Sequence, residues 1–242
     1  MKCIAMIPAR YAATRFPGKL MQTLGGKTII RHTYENTVAT RLFDEVIVVT
    51  DSDIIFQEII ENGGYAVMSY KTHESGSDRI AEAVANLDVD IIINVQGDEP
   101  FINRDSLQNL LAAFNGPQNT VQVASLMKLI TDPELINNPN CVKVVVDKNM
   151  NSLLFSRSVI PYPRDKESSA GYYQHIGVYA FRKPALMNFA KWEATPLETT
   201  EKIECLRYLE HGIPLKMVIT SYMGISIDTP SDLAKAKRTY NR

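Results

Sequence analysis

Apolar runs in this 242-residue chain are short, and none approaches the roughly 20 residues that a membrane-spanning helix needs. Lys2 leads into an apolar stretch that stops at Pro8, too short for the hydrophobic region of a secretory signal. No membrane partner is therefore expected. Cysteine is scarce: Cys3, Cys141 and Cys205 are odd in number and far apart. They form neither a disulfide framework nor a metal-ligand spacing, which fits structural thiols in a reducing cytoplasm. An excess of one charge is missing too, with 26 Lys and Arg against 27 Asp and Glu. Without a global basic face, nucleic acid is a poor partner and a small molecule a better one. No G-x-x-x-x-G-K-[ST] motif occurs, and no G-x-G-x-x-G opens the first helix, which argues against P-loop ATPases and dinucleotide dehydrogenases.

What is present is an alternation of β-branched runs and helical patterns. Cys3 to Ile7 reads as a strand, Thr28 to Arg41 as a helix, Glu45 to Thr50 as a strand and Asp53 to Asn62 as a helix stopped by Gly63-Gly64. Ala66 to Ser69, Asp90 to Val95, Val121 to Met127 and Val142 to Val146 continue the strands, with helices from about Ser77 to Leu87 and Asp105 to Phe114. DIIINV is continuously apolar, as strands buried on both faces of a parallel sheet are. After Leu153 come a short strand SLLFS, a polar Pro-containing loop and the strand IGVYAF. Helices are then predicted over Pro184 to Trp192 and Leu197 to Leu209, strands over Leu215 to Ile219 and Gly224 to Ile227, and a closing helix from Ser231 to Tyr240. With 45% hydrophobic residues, the chain can bury a full core. The expected fold is a single α/β domain over 1–242, a doubly wound, Rossmann-like, mostly parallel sheet. A β-rich insertion at about 153–181 would serve substrate selection and subunit contact.

The first strand runs into the loop PARYAATRFPGK, from Pro8 to Lys19, which carries Arg10, Arg15 and Lys19 and no carboxylate. Pro8, Pro17 and Gly18 make a continuous helix through it unfavourable. A loop leaving a parallel strand sits at the carboxyl edge of the sheet, where open α/β folds place their ligands. Two guanidinium forks, an ammonium and backbone N–H groups would converge there on a polyanion such as a triphosphate. A solvated basic loop is the plain alternative.

A triphosphate site calls for a divalent cation, and Mg²⁺ typically takes one or two carboxylates beside phosphate and water oxygens. Asp98 follows the DIIINV strand in the turn Gln96-Gly97-Asp98-Glu99-Pro100. A buried strand ending in so many polar groups is costly unless they bind something. Asp228 follows an apolar stretch ahead of Thr229-Pro230 and is the second candidate, with helix capping as its alternative role. His73 also lies near the expected ligand edge, though a lone histidine is more often a hydrogen-bonded bystander.

With these residues in place, the chain resembles the nucleotidyltransferases that activate sugars, and most closely the 3-deoxy-manno-octulosonate cytidylyltransferase (CMP-Kdo synthetase) family. PARYAATRFPGK, ESGSDR, NVQGDEP, NPNCVKVV, FSRSVIPYPRD, HIGVYAF and IDTPSDL look like that family's blocks in that family's order, nearly end to end. The resemblance implies that the anomeric hydroxyl of Kdo attacks the α-phosphorus of CTP, forming CMP-Kdo and releasing diphosphate with Mg²⁺ as cofactor.

On that implication Pro8, Arg10, Arg15, Lys19, Thr72, His73, Ser75 and Gln96 bind the nucleotide, with Arg10, Arg15 and Lys19 on its phosphates, Gln96 and the Thr72 to Ser77 loop near its cytidine, and Ser75 as the foremost base contact. Arg10, Lys19, Asp98 and Asp228 form the catalytic set, with Asp98 and Asp228 on the metal. Arg157, His175, Tyr179 and Glu204 line the sugar-acid pocket, where Arg157 suits a carboxylate and Glu204 can accept from hydroxyls. The family also implies a homodimer, a cytoplasmic location and a role in lipopolysaccharide biosynthesis. One departure touches the sugar: the family commonly reads Glu-Gln-Leu-Arg where this chain has Glu204-Cys205-Leu206-Arg207. A related 2-keto sugar acid, 8-amino-Kdo or a sialic acid, is therefore the alternative substrate. A noncatalytic nucleotide-binding domain is the rival of a different class, and it has no reason to keep both Asp98 and Asp228.

Overall fold

The computed structural model describes residues 1–12, 16–73, 75–116, 120–165, 171–221 and 225–240. These group into two compact units, Met1–Gln108 with Tyr222–Arg242, and Asn109–Ser221.

The first unit begins with β1 (Cys3–Ala9), buried along all seven residues. A small hairpin of β2 (Thr23–Leu24) and β3 (Lys27–Thr28) precedes α1 (Ile29–Ala39), which Thr28 caps by accepting from the Arg31 N–H. Then follow β4 (Glu45–Thr50), α2 (Asp53–Glu61), β5 (Ala66–Met68), α3 (Gly76–Val84), β6 (Ile91–Asn94) and α4 (Arg104–Ala112), which crosses into the second unit. The strands lie in the order β6-β1-β4-β5 and all run parallel, with Ile4 opposite Glu45, Cys3 opposite Ile91 and Val48 opposite Ala66. Ile91, Ile92 and Ile93 are wholly buried, each contributing about 1.5–3 kcal/mol of apolar burial. Because the strands are parallel, the residues that leave β1, β4 and β6 emerge at one edge, where the polar motifs gather. This is the α/β arrangement the sequence pattern predicts.

The second unit holds β7 (Val123–Leu129), α5 (Pro133–Asn137), β8 (Lys143–Val146), β9 (Ser152–Ser156), β10 (Tyr173–Arg182), α6 (Lys183–Phe189), α7 (Pro196–Glu201), α8 (Leu206–Glu210) and β11 (Lys216–Ile219). Here β10 runs antiparallel to β7 with a register shift between Ile176 and Tyr179, β11 is parallel to β7, and β8 bridges β10 and β9 antiparallel. The segment 153–181 thus supplies most of β9 and β10.

Several elements depart from the sequence expectation, the β2–β3 hairpin among them. The short helix α5 was not foreseen; Asp132 starts it by accepting from the Glu134 N–H, with Pro133 in its first turn. The single helix expected over 197–209 is two, because Lys202 turns left-handed at φ 54° and ends α7. The strand expected over 224–227 does not form across residues 225–227. Instead the Ile227 N–H donates to the Asp98 carbonyl at 3.0 Å, and the chain enters α9 (Pro230–Tyr240), which belongs to the first unit.

Candidate active site

A cavity of about 310 Å³ opens at the carboxyl edge of the parallel sheet in the first unit, lined by Pro8, Ala9, Arg10, Phe16, Lys19, Leu20, His73, Ser75, Gly76, Arg79, Gln96, Gly97, Asp98 and Asp228. Its floor is backbone at close quarters. A Cβ on Gly97 would stand 3.2 Å from the Pro8 carbonyl oxygen and 3.2 Å from Ile30 Cδ1, so a side chain here would crowd both and glycine gives the turn after β6 its room. Thr33 of α1 ties the same turn down by donating to the Gly97 carbonyl at 2.9 Å.

Lys19 enters this cavity from a 3₁₀ turn, Lys19–Met21, launched by Gly18 in the left-handed conformation at φ 64°. The Gly18 N–H returns to the Tyr11 carbonyl at 3.1 Å, closing the base of the cationic loop. The Lys19 ammonium hydrogen-bonds Asp98 Oδ2 and, at 2.9 Å, Asp228 Oδ1. Burial opposes its charge, but the two carboxylates outweigh burial and hold the Lys19 pKa above its ordinary value.

The capping role open to Asp228 in the sequence is taken by its neighbours. Thr229 and Asp232 bond reciprocally at the start of α9, the Thr229 N–H and hydroxyl reaching Asp232 Oδ2 at 3.0 and 2.7 Å. The Ile227–Asp98 backbone bond then sets the two acids side by side. Among the described residues no group of three or more His, Cys, Asp or Glu could hold a metal. A cation here would draw its remaining oxygens from phosphate and water.

Several of the expected nucleotide contacts share this cavity: Pro8, Arg10, His73, Ser75 and Gln96 all line it. Ser75 is also the N-cap of α3, accepting from the Asp78 N–H at 3.2 Å and donating to Asp78 Oδ2 at 2.8 Å. Gln96 Nε2 donates to the buried Asn94 Oδ1 at 3.3 Å. Thr72 is exposed and is not among the lining residues. Arg15 lies outside the described residues. Arg79 is a lining residue the sequence did not single out: only 4% exposed, it donates from Nη2 to Asp51 Oδ2 at 2.7 Å, and its Nη1 has no partner among the described residues. The sequence places it at the end of the ESGSDR block without giving it a role.

The four expected sugar contacts belong to the second unit. His175, Tyr179 and the Glu204–Cys205 pair come together there. The His175 and Tyr179 rings are 5.4 Å apart, Tyr179 hydrogen-bonds the Cys205 thiol, and the Glu204 charge acts on both Tyr179 and Cys205. Burial pushes the Tyr179 hydroxyl and the Cys205 thiol well above their ordinary pKa values, so both stay protonated. His175 is pushed down to about 3 by burial, and its Nε2 meets Ser125 Oγ at 3.0 Å. Burial that lowers its basicity makes His175 a weak proton acceptor.

Arg157 makes a different set of contacts. Its Nε donates to the Glu201 carbonyl at 2.6 Å, Nη1 to the Pro139 carbonyl at 2.9 Å and Nη2 to the Lys202 carbonyl at 3.4 Å. Its own carbonyl accepts from the buried Lys143 ammonium at 2.6 Å, and its N–H donates to Glu201 Oε2 at 3.0 Å. The guanidinium is thus held as a strut among carbonyls.

The cytidylyltransferase family profile matches residues 4–219. The 3-deoxy-manno-octulosonate cytidylyltransferase of Flavobacterium johnsoniae is 62% identical over 238 residues, spanning 98% of each chain. That of Christiangramia forsetii is 56% identical, spanning 98% of this chain and 96% of the relative. Among solved structures, CMP:2-keto-3-deoxy-manno-octonic acid synthetase complexed with CTP superposes with a TM-score of 0.94 at 37% identity, over 100% of this chain and 99% of that one. A 4-diphosphocytidyl-2C-methyl-D-erythritol synthase from Anaerococcus prevotii, 18% identical at a TM-score of 0.66, shares the fold. A cation and two carboxylates at the carboxyl edge of a parallel sheet are thus found in a chain that matches these enzymes along its whole length, and the chain belongs to the cytidylyltransferase family, among the 3-deoxy-manno-octulosonate cytidylyltransferases.

Proposed function

We propose that this protein transfers CMP from CTP to Kdo, forming CMP-Kdo and diphosphate. The observation that carries the proposal is the cavity wall formed by Lys19, Asp98 and Asp228. It presents cationic donors to a polyanion and hard oxygen ligands to a divalent cation within one short reach. In the reaction the anomeric oxygen of Kdo bonds to the α-phosphorus while the bond from that phosphorus to the bridging oxygen breaks, and diphosphate leaves. Little covalent chemistry falls to the protein, so positioning and charge neutralisation carry the rate. Arg10 and Lys19 would grip the phosphates, and Lys19 would hold positive charge where the leaving diphosphate gains negative charge.

The donor set fits Mg²⁺: Asp98 and Asp228 offer carboxylate oxygens beside each other, and the single Lys19 ammonium between them leaves one negative charge uncompensated. Asp98 and Asp228 would hold it, and when bound it would neutralise phosphate charge and acidify the attacking hydroxyl. Neutral, buried His175 and the Tyr179 hydroxyl would orient the sugar acid without moving its proton. The Arg157 guanidinium, engaged with three carbonyls, supports a strut that shapes the pocket more than a free clamp on the carboxylate.

The product would enter lipopolysaccharide assembly in the cytoplasm, and the working form would be a homodimer. Leu153 and Leu154, 61% and 37% exposed on β9, support a subunit contact there. A related 2-keto sugar acid is the second reading, favoured by Cys205 beside Tyr179 where the family commonly carries Gln.

Diphosphate release from CTP with Kdo, 8-amino-Kdo and N-acetylneuraminate, with ATP and UTP as controls and with and without EDTA, tests the proposal. Turnover with CTP and Kdo that EDTA abolishes is the expected result. Turnover with another sugar acid alone would move the substrate, and none with any would return the chain to nucleotide binding. Sedimentation checks the dimer.

A further inference from the structure

One carboxylate of α3 holds the loop that leads into it. Glu82 Oε2 accepts from the Ser69 hydroxyl at 2.6 Å and meets His73 Nε2 at 2.7 Å, while Oε1 accepts from the Tyr70 N–H at 3.4 Å. Glu82 lies about two turns along the helix from the Ser75 cap, so cap and carboxylate share one face. The connection from β5 to α3 is pinned at both ends to the same helix. Its residue His73 is a wall of the cavity.

We propose that Glu82 is a positioning residue for nucleotide recognition: it fixes the His73 ring at the cavity and thereby sets the preference for CTP over UTP. This rests on the proposed CTP activity and on the expectation that His73 and Ser75, both cavity residues, lie around the cytidine. An ionised carboxylate only accepts, so His73 Nε2 carries the proton of the shared bond. In the neutral ring Nδ1 is then an acceptor, and no described residue is bonded to it. An acceptor suits the exocyclic amino group of cytosine and opposes the carbonyl oxygen that uracil presents at the same position. Burial works against the Glu82 charge, yet bonds from Ser69, His73 and the Tyr70 N–H hold its carboxyl below the ordinary range, so it remains the accepting partner at neutral pH.

Removing the acceptor should free the ring and, in the isosteric amide, let the side chain donate to Nε2 and move the ring proton to Nδ1. Calorimetric affinity for CTP and for UTP, KM for each, and thermal melting are measured in the wild type, Glu82→Gln, Ser69→Ala and His73→Ala. Glu82→Gln is expected to weaken CTP about tenfold, to lower the CTP to UTP preference about tenfold, and to leave kcat and the KM of the sugar acid within about threefold. A merely structural loss would lower the melting temperature without changing the preference between bases. Ser69→Ala, which removes one of the bonds and leaves His73 in place, is expected to weaken CTP about threefold; it carries the test if Glu82→Gln fails to fold. An unchanged CTP to UTP ratio in Glu82→Gln alongside a changed one in His73→Ala overturns the role of Glu82. Unchanged ratios in both overturn the placement of the base against this loop, and the proposal with it.

Discussion

The ammonium of Lys19 lies 2.9 Å from Asp228 Oδ1, although 209 positions of sequence separate the two residues. The same nitrogen also bonds Asp98, so a single cation answers two acids that adjacent backbone holds close together. Lys19→Ala is therefore expected to do two things. It should cut kcat/KM for CTP by about 100-fold or more, in the range seen when one charge-stabilising donor is lost. It should also make added Mg²⁺ raise the melting temperature of the variant more than that of the wild type, since only in the variant do the acids face each other without a counter-charge. Equal Mg²⁺ stabilisation of both proteins would contradict the shared-cation arrangement.

Asp98→Asn keeps the shape of the turn, including the Asp98 carbonyl that accepts from Ile227. Turnover is expected to fall about 1,000-fold with the fold intact, because an amide retains the volume but not the charge. Steady-state rates beside far-ultraviolet circular dichroism check this, and near wild-type activity would remove Asp98 from the reaction.

Acid should weaken the second unit through His175. Its folded pKa of about 3 lies below the ordinary 6.5, so between those values the unfolded chain binds a proton that the native chain does not. Stability from this group is complete above about pH 6.5 and is lost as pH falls toward 3, at up to about 1.4 kcal/mol per pH unit. Urea midpoints measured from pH 7.5 to 4.5 are expected to fall, and to fall less steeply in His175→Asn, whose side chain does not titrate.

Arg207 and Glu198 form a buried bidentate pair, with Nε to Oε2 and Nη2 to Oε1 each at 2.7 Å, which ties α7 to α8 across the left-handed Lys202. Glu198→Ala strands a guanidinium that is 4% exposed. Removing one partner of such a pair typically costs about 3–5 kcal/mol, so the variant should melt several degrees lower. Because α8 begins beside Glu204 and Cys205, its KM for the sugar acid should rise more than its KM for CTP.

The parallel strands were legible because burial on both faces writes uninterrupted β-branched runs, as in IIIN of β6 and EVIVVT of β4. Lys19 and Asp98 were legible for a related reason: polar residues that follow such runs emerge at one edge of a parallel sheet, whereas Asp228 stood out only through the apolar stretch before it, across which no strand forms at 225–227. The break at Lys202 was not, because the acid-rich stretch Glu198 to Glu204 keeps helical spacing, and a single left-handed residue leaves no trace in periodicity. Nor was the irregular path of 225–227, where one backbone bond to Asp98 replaces the strand that the apolar residues imitate. The contacts of Arg79 and Glu82 were illegible because their partners, Asp51 and the Ser69–His73 loop, become neighbours only once α3 has docked.

The first compact unit is written in two instalments, Met1–Gln108 and Tyr222–Arg242, with the whole second unit between them. A ribosome therefore delivers Lys19 and Asp98 before the second unit and Asp228 after it. Until residue 228 emerges, the nascent chain can own a basic loop and one acid but not the pair, so the pair of acids is completed only after the whole second unit has been made.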